Sequence, residues 1–300
     1  MKSIKVLSTV AALAFSVIAF GQSYTFRVLA NKGSNQIKSG SSWQPLKTGA
    51  TLKDADELKV SSGAYLGLMH SGGRTLEWKD AGTYKVADMA KKVSAGSSVG
   101  SKYADFLASK MSAEGAKNRL SATGAVHRAL TDAAINLYLP ASAQVYQDKA
   151  IIRWDALEGD NHMYKVALTN IFEEVLISAE TRETFFELDL NDEKIKNETN
   201  VLLMVTTVKD EKVKSETIAI KRLPKDDVQK VETGLNNLMS DIKEENALNK
   251  YVLAGFYEEN GLLVDALTSY EEAIKLAPDV DHYKEAYDEF VIRNGFKENN

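Results

Sequence analysis

The residues that most constrain how this chain folds lie near its end: Leu253, Ala254, Tyr257, Ala266, Tyr270, Ala273 and Pro278. Leu253, Ala254 and Tyr257 recur at separations that share one helical face. Ala266, Tyr270 and Ala273 do the same after a break at Asn260-Gly261. Small alanines let two helices approach, the tyrosines fill the space between them, and Pro278 stops the second helix after Leu276. The spacing predicts a helical hairpin. One hairpin cannot bury all its own faces, so flanking helices must cap it or another surface must cover it.

The flanks offer candidates. Pro224 opens a helix at a position proline tolerates, with Asp226 and Asp227 favourable in its first turn. Val228, Val231, Leu235, Leu238, Met239 and Ile242 line one face of that helix. After Pro278 a last helix carries Tyr283, Ala286, Tyr287, Phe290 and Val291. The hairpin resembles a tetratricopeptide repeat, a family of helix pairs that mostly bind other proteins. Lys250 stands at the repeat's tryptophan position and Ala254 at its glycine. Upstream, Asn236 and Met239 occupy places expected of an aromatic and an alanine. The resemblance implies that Tyr251, Gly255 and Glu258 face a concave groove and touch a protein partner; the alternative is that they simply face solvent. Residues 224–300 form this helical domain, which reads as a short docking tip.

The other end predicts location. Lys2 and Lys5 precede an apolar run from Val6 to Phe20, and Ala19-Phe20-Gly21 has small residues where a signal peptidase reads. Residues 1–21 thus read as a signal peptide. The run is shorter than the roughly 18–20 apolar residues of a spanning helix. Export to the periplasm or cell surface is expected, with no membrane insertion afterwards. The chain has no cysteine, so neither disulfides nor a lipid-attachment thiol is available to it, and core burial must hold it together. Its formal charge is −5, and losing Lys2 and Lys5 takes it to −7. An acidic chain with dispersed lysines argues against nucleic acid as a partner.

Between the ends, residues 22–86 read as short strands and glycine turns. Leu58-Lys59-Val60 alternates, Ala64, Leu66 and Leu68 share a face, Ser71-Gly72-Gly73 turns, and Leu76 and Trp78 return as the second arm of a hairpin. The order Trp43, Leu46, Gly49, Leu52, Asp56, Leu58, Val60 and Gly63-Ala64-Tyr65-Leu66-Gly67-Leu68 resembles the periplasmic FecR domain. That domain occurs in regulators that relay iron-siderophore signals across bacterial envelopes. Here a cleavable signal stands where such regulators carry a sigma-factor-binding segment and a membrane helix, which favours a free envelope module. Residues 87–134 turn to Ala, Ser, Gly and Lys and read as a linker, with one short helix through Tyr103, Phe106, Leu107 and Met111. Residues 135–223 carry short strands around Ile151–Trp154, Tyr164–Leu168, Phe185–Leu190, Val201–Val208 and Thr217–Ile220, which predicts a sandwich. Trp154 followed by Tyr164 is similar to a fibronectin type III domain, with Trp154 a core residue. The predicted fold class is multidomain α+β: a small β domain, a β-sandwich and a helical repeat unit.

No catalytic constellation emerges. His70, His127, His162 and His282 are scattered without metal-ligand spacing, and no cysteine is present to help them. Gly96-Ser97-Ser98-Val99-Gly100 matches a nucleophile-elbow string, but Ala90–Ser94 supplies no hydrophobic strand before it. Gly100-Ser101-Lys102 has the wrong spacing for a phosphate loop. Asp189, Asn191 and Glu193 lack the glycine and terminal glutamate of a calcium loop. Glu173-Glu174 and Glu271-Glu272 read as solvated faces of amphipathic elements, and Asn197-Glu198-Thr199 carries little weight as a glycosylation string given the bacterial source that the signal and the FecR resemblance imply. No cofactor or metal is implied. The expected function is a non-enzymatic envelope adaptor or scaffold that binds a protein through its helical repeat. The alternative is a FecR-type sensor that contacts an envelope receptor through residues 24–86 without needing the helices.

Overall fold

The computed structural model describes residues 24–93, 134–159, 162–239 and 245–297. The signal segment, the helix expected around Tyr103–Met111, the Gly96–Gly100 and Gly100–Lys102 strings and His127 lie outside them. The described chain is mixed α+β, with several sheets in its first two thirds and helices at its end.

The N-terminal part is built from β1 (Phe26–Lys32), β2 (Gln36–Lys38), β3 (Trp43–Pro45), β4 (Thr51–Leu52), β5 (Glu57–Val60), β6 (Tyr65–His70), β7 (Thr75–Trp78) and β8 (Gly82–Lys85). These pair antiparallel into two sheets, β4-β1-β6-β7 and β3-β2-β5-β8. Phe26, Val28, Leu52, Leu58, Leu66, Leu68 and Trp78 fill the space between them. Helix α1 (Val86–Ala90) follows β8 directly and buries Val86 and Met89 in this core, and Val93 packs on it. The unit therefore runs past the expected boundary at residue 86, because these apolar side chains complete its core.

Strand β6 is buried on both faces. Leu66 and Leu68 point into the inter-sheet core, while Tyr65 and Met69 belong to a second core shared with the helices. An alternating strand with apolar residues at both parities needs a layer on each side.

The central part contains β9 (Ser142–Val145), β10 (Lys149–Arg153), β11 (Tyr164–Thr169), β12 (Val175–Thr181), β13 (Phe185–Asp189), β14 (Asn200–Thr207) and β15 (Ile218–Arg222). One sheet has the order β12-β11-β14-β15-β9, all antiparallel except for the parallel β15–β9 pair; β10 and β13 form a two-stranded ribbon. Both contribute to one core, where Trp154 lies edge-on to Tyr164 with ring centroids 5.4 Å apart.

Four helices follow: α2 (Lys225–Met239), α3 (Ala247–Glu259), α4 (Leu263–Leu276) and α5 (Asp281–Arg293). Asn246 caps α3 by accepting the Asn249 N–H at 2.9 Å. Helix α3 ends where Gly261 takes a φ of 72°, with Leu262 N–H donating to the Tyr257 carbonyl and Gly261 N–H to that of Glu258. Only a residue free of a Cβ penalty closes a helix this way at low cost, which explains the Asn-Gly break. Ala254, Ala266 and Ala273 are fully buried between α3 and α4, with Tyr257 and Tyr270 beside them.

The helical hairpin is not a tip. Its core includes Leu29, Tyr65 and Met69 from the N-terminal unit and Tyr138 and Leu223 from the central one, so the helices form a layer that both β units pack against.

Candidate functional site

On the N-terminal side the seam is held by buried polar contacts. The Tyr65 and Tyr283 hydroxyls lie 2.7 Å apart, and Tyr65 also donates to Glu77 at 2.6 Å. Glu77 accepts the Leu248 N–H at 3.1 Å at the start of α3. Burial pushes both phenols well above their ordinary range, and Glu77 adds to the effect on Tyr65. Gly67 has a steric role: a Cβ there would meet Leu248 Cδ1 at 2.9 Å and Ala30 Cβ at 3.2 Å.

On the central side the first turn of α4 does the holding. Asp265, fully buried, accepts the Gln147 N–H at 2.7 Å and the Tyr146 N–H at 3.0 Å. Burial pushes its carboxyl up to about 6, against the opposing effect of those two amides. One turn on, Thr268 accepts the Ile151 N–H at 2.9 Å.

Beyond Thr268 the helices and the ribbon diverge. Between them opens a cleft of about 880 Å³ lined by β10, β13, α4 and α5. The strand period turns Lys149, Ile151 and Arg153 toward it, opposite Asp189, Glu187 and Phe185 respectively. Arg153 forms a bidentate pair with Glu271, through Nε to Oε1 and through Nη2 to Oε2 at 2.7 Å, and its guanidinium lies 5.3 Å from the Phe185 ring centroid. The Glu271 hydrogen bond raises the Arg153 pKa further. Tyr287 donates to Glu271 at 3.3 Å. Deeper, Asp155 accepts Tyr138 OH at 2.6 Å and the Asn136 amide at 2.8 Å. Burial first, and the acceptor carboxylates second, drive the Tyr138 and Tyr287 phenols upward.

Glu271 and Asp155 are thus each tied to two donors, a chemistry suited to fixing cleft shape and charge. The rim carries exposed Lys275, Glu187 and Lys297. Trp154 backs the wall from the central core, with its indole Nε1 buried and without a hydrogen-bond partner. Among the described residues, no group of three or more His, Asp or Glu is placed to hold a metal ion. No described helix is long and apolar enough to cross a membrane.

The residues expected to face a partner groove sit elsewhere, and that expectation is corrected. Tyr251 is 4 % exposed, with its ring centroid 5.3 Å from Tyr283, 5.4 Å from His282 and 6.0 Å from Tyr270. Gly255 is buried in α3. Glu258 accepts Arg293 Nε at 2.7 Å and Nη2 at 2.8 Å, and Tyr270 OH at 3.2 Å. The face they share is covered by α5 and by the N-terminal unit, because the apolar stripes of α5 and β6 need the same cover. The cleft residues gave no local signal: Arg153, Phe185, Glu271 and Tyr287 lie on separate elements. The nearest hint was a second apolar and polar face on α4, through Val264, Thr268 and Glu271.

No protein-family model matches this chain, and comparison with curated proteins finds no match.

Proposed function

We propose that this chain is an exported, non-enzymatic scaffold of the bacterial envelope that holds a segment of a partner protein in the cleft between the β10–β13 ribbon and α4–α5. The carrying observation is the cleft itself, about 880 Å³, where aromatic and aliphatic side chains such as Phe185, Tyr287 and Ile151 alternate with charged ones and an Arg153–Glu271 pair is fixed in the wall. Pockets of this size with a few oriented polar groups suit a ligand held by shape and hydrogen bonding. The helical repeat serves as the wall that forms the site rather than as the groove that receives the partner. The ribbon facing a five-stranded sheet supports a fibronectin type III-like reading of residues 135–223, and the α3–α4 packing supports the repeat reading.

A FecR-type sensor remains the second reading, favoured by one surface. With β1 and β6 covered by helices, the outer face of β3-β2-β5-β8 is left to a receptor, and it carries the exposed Trp43 and Lys59. Benzophenone side chains introduced singly at Glu187, Lys275 and Lys59 separate the two in cells. The scaffold reading expects adducts with one protein from Glu187 and Lys275, identified by mass spectrometry. Adducts from Lys59 alone favour the sensor, and silence at both cleft positions overturns the scaffold.

A further inference from the structure

Strand β13 pairs with β10 along one side only, so among the described residues its other edge has no strand beside it. The register decides which groups lie on that edge. Trp154 N–H donates to the Thr184 carbonyl at 3.0 Å and Leu190 N–H to that of Asp148 at 2.7 Å, so residues 184, 186, 188 and 190 are the ones that bond to the β10 side. The main-chain N–H and C=O groups of Phe185 and Glu187 therefore point the other way. Strand β10 obeys the same alternation: Ile151, opposite Glu187, turns its N–H outward to Thr268. Among the described residues nothing takes up the outward groups of Phe185 and Glu187. Both side chains line the cleft, so the cleft floor ends in an open hydrogen-bonding edge.

The side chains along the edge select what fits it. Glu187 is exposed and faces Ile151 across the ribbon rather than a cation. Of its diagonal neighbours, Arg153 is bound to Glu271 and Lys149 stands opposite Asp189. Phe185 is half-buried, with the Arg153 guanidinium on one side of its ring. On the inner face Phe186 is half-buried against the central core. The edge carries Glu183, Glu187 and Asp189 and no cation among them, so a second copy of β13 would meet it acid against acid.

We propose that the partner segment binds as an added strand, antiparallel to β13, with a lysine or arginine directly opposite Glu187 and an apolar residue two positions later opposite Phe185. The inference rests on the cleft being the partner's site and specifies how it is filled. The segment's main chain closes hydrogen bonds with the N–H and C=O groups of Phe185 and Glu187, and its basic and apolar side chains stand on the cleft face. The residue between those two falls on the other face, beside Phe186, where an apolar side chain extends the central core.

A displayed library of random peptides about nine residues long, selected on the purified full chain, tests this. Enriched peptides should carry Lys or Arg two positions before an apolar residue, and selection on Glu187→Lys should replace that cation by Asp or Glu. The wild-type consensus peptide, titrated by fluorescence anisotropy, should bind Glu187→Lys at least about tenfold more weakly, with far-UV circular dichroism showing that the variant is folded. Methylating the peptide nitrogens of the two residues opposite Phe185 and Glu187 should also weaken binding at least about tenfold, and methylating only the nitrogen between them should cost less than about threefold. Hydrogen exchange at the Phe185 and Glu187 amides should slow when the peptide is bound. No enrichment, a consensus without the cation, indifference to Glu187→Lys, or tolerance of methylation at both facing nitrogens overturns strand addition. If benzophenone at Glu187 and Lys275 still captures a protein in cells, the scaffold reading survives that failure; silence at both positions removes the site and the added strand with it.

Discussion

Asp265 shows how one side chain ties two units together and at what pH. It is buried in the first turn of α4, where the N–H groups of Tyr146 and Gln147 satisfy its oxygens. Its folded pKa of about 6 lies above the roughly 3.9 of an unfolded aspartate. The folded chain therefore binds this proton more tightly, and the stability it contributes is fully present below about pH 4 and lost as pH rises through 6. That separation is worth roughly 3 kcal/mol across the window. Asp265→Asn keeps an acceptor for the amides but cannot titrate. Urea melts at half-unit pH steps should show its stability profile flattened between pH 4 and 6.5, whereas a slope equal to wild type assigns that titration to another group.

At the level of elements, the decisive event is a helix seating on a strand. Leu248 of α3 is fully buried against Gly67 of β6, and any Cβ at 67 invades it at 2.9 Å. Gly67→Val should cost about 1–3 kcal/mol through overpacking. Leu248→Ala in the same chain should recover part of that loss, a non-additivity read by thermal melts of the four variants; additive losses would show that the two residues do not compete for one space. This contact also marks what the sequence made legible. The α3–α4 hairpin could be read because its signals are local: alanines and tyrosines at helical spacing, Asn-Gly at the break, proline after the end. The β6–β7 hairpin was equally local. The cover over β6 was written as well, since Tyr65 and Met69 make its second face apolar, but a strand's second face names no partner. The cleft was least legible, because Arg153, Phe185, Glu271 and Tyr287 meet only after the ribbon and the helices have docked. The groove assigned to Tyr251, Gly255 and Glu258 failed for a related reason. A repeat pattern predicts which helix face is concave, not which other part of the same chain fills it.

For the whole molecule, the helix layer determines whether three sequence segments behave as three domains. If each folded alone, the faces carrying Leu29, Tyr65 and Met69 on one side and Tyr138 and Ile151 on the other would be open to water. Packed against the helices, these residues form one continuous core, with Asp265, Thr268 and Arg153–Glu271 fastening one seam and Tyr65–Tyr283 and Glu77 the other. Losing either seam strands buried polar groups without partners, at about 1–3 kcal/mol for each. Neither β unit can then open without weakening the layer that supports the other, which makes unfolding cooperative across the chain. Two tryptophans report on this. Trp78 sits in the N-terminal core and Trp154 in the central one. With Trp43 replaced by Phe, single-tryptophan variants retaining Trp78 or Trp154 should give denaturant transitions with the same slope once each midpoint is referred to the variant's own circular dichroism curve. Such coincidence is the signature of a two-state unit. Trp78 fluorescence that changes at a denaturant concentration where Trp154 and the helical signal are still native would mean that the N-terminal unit stands alone, and that the seam at Tyr65 and Gly67 is a contact rather than a shared core.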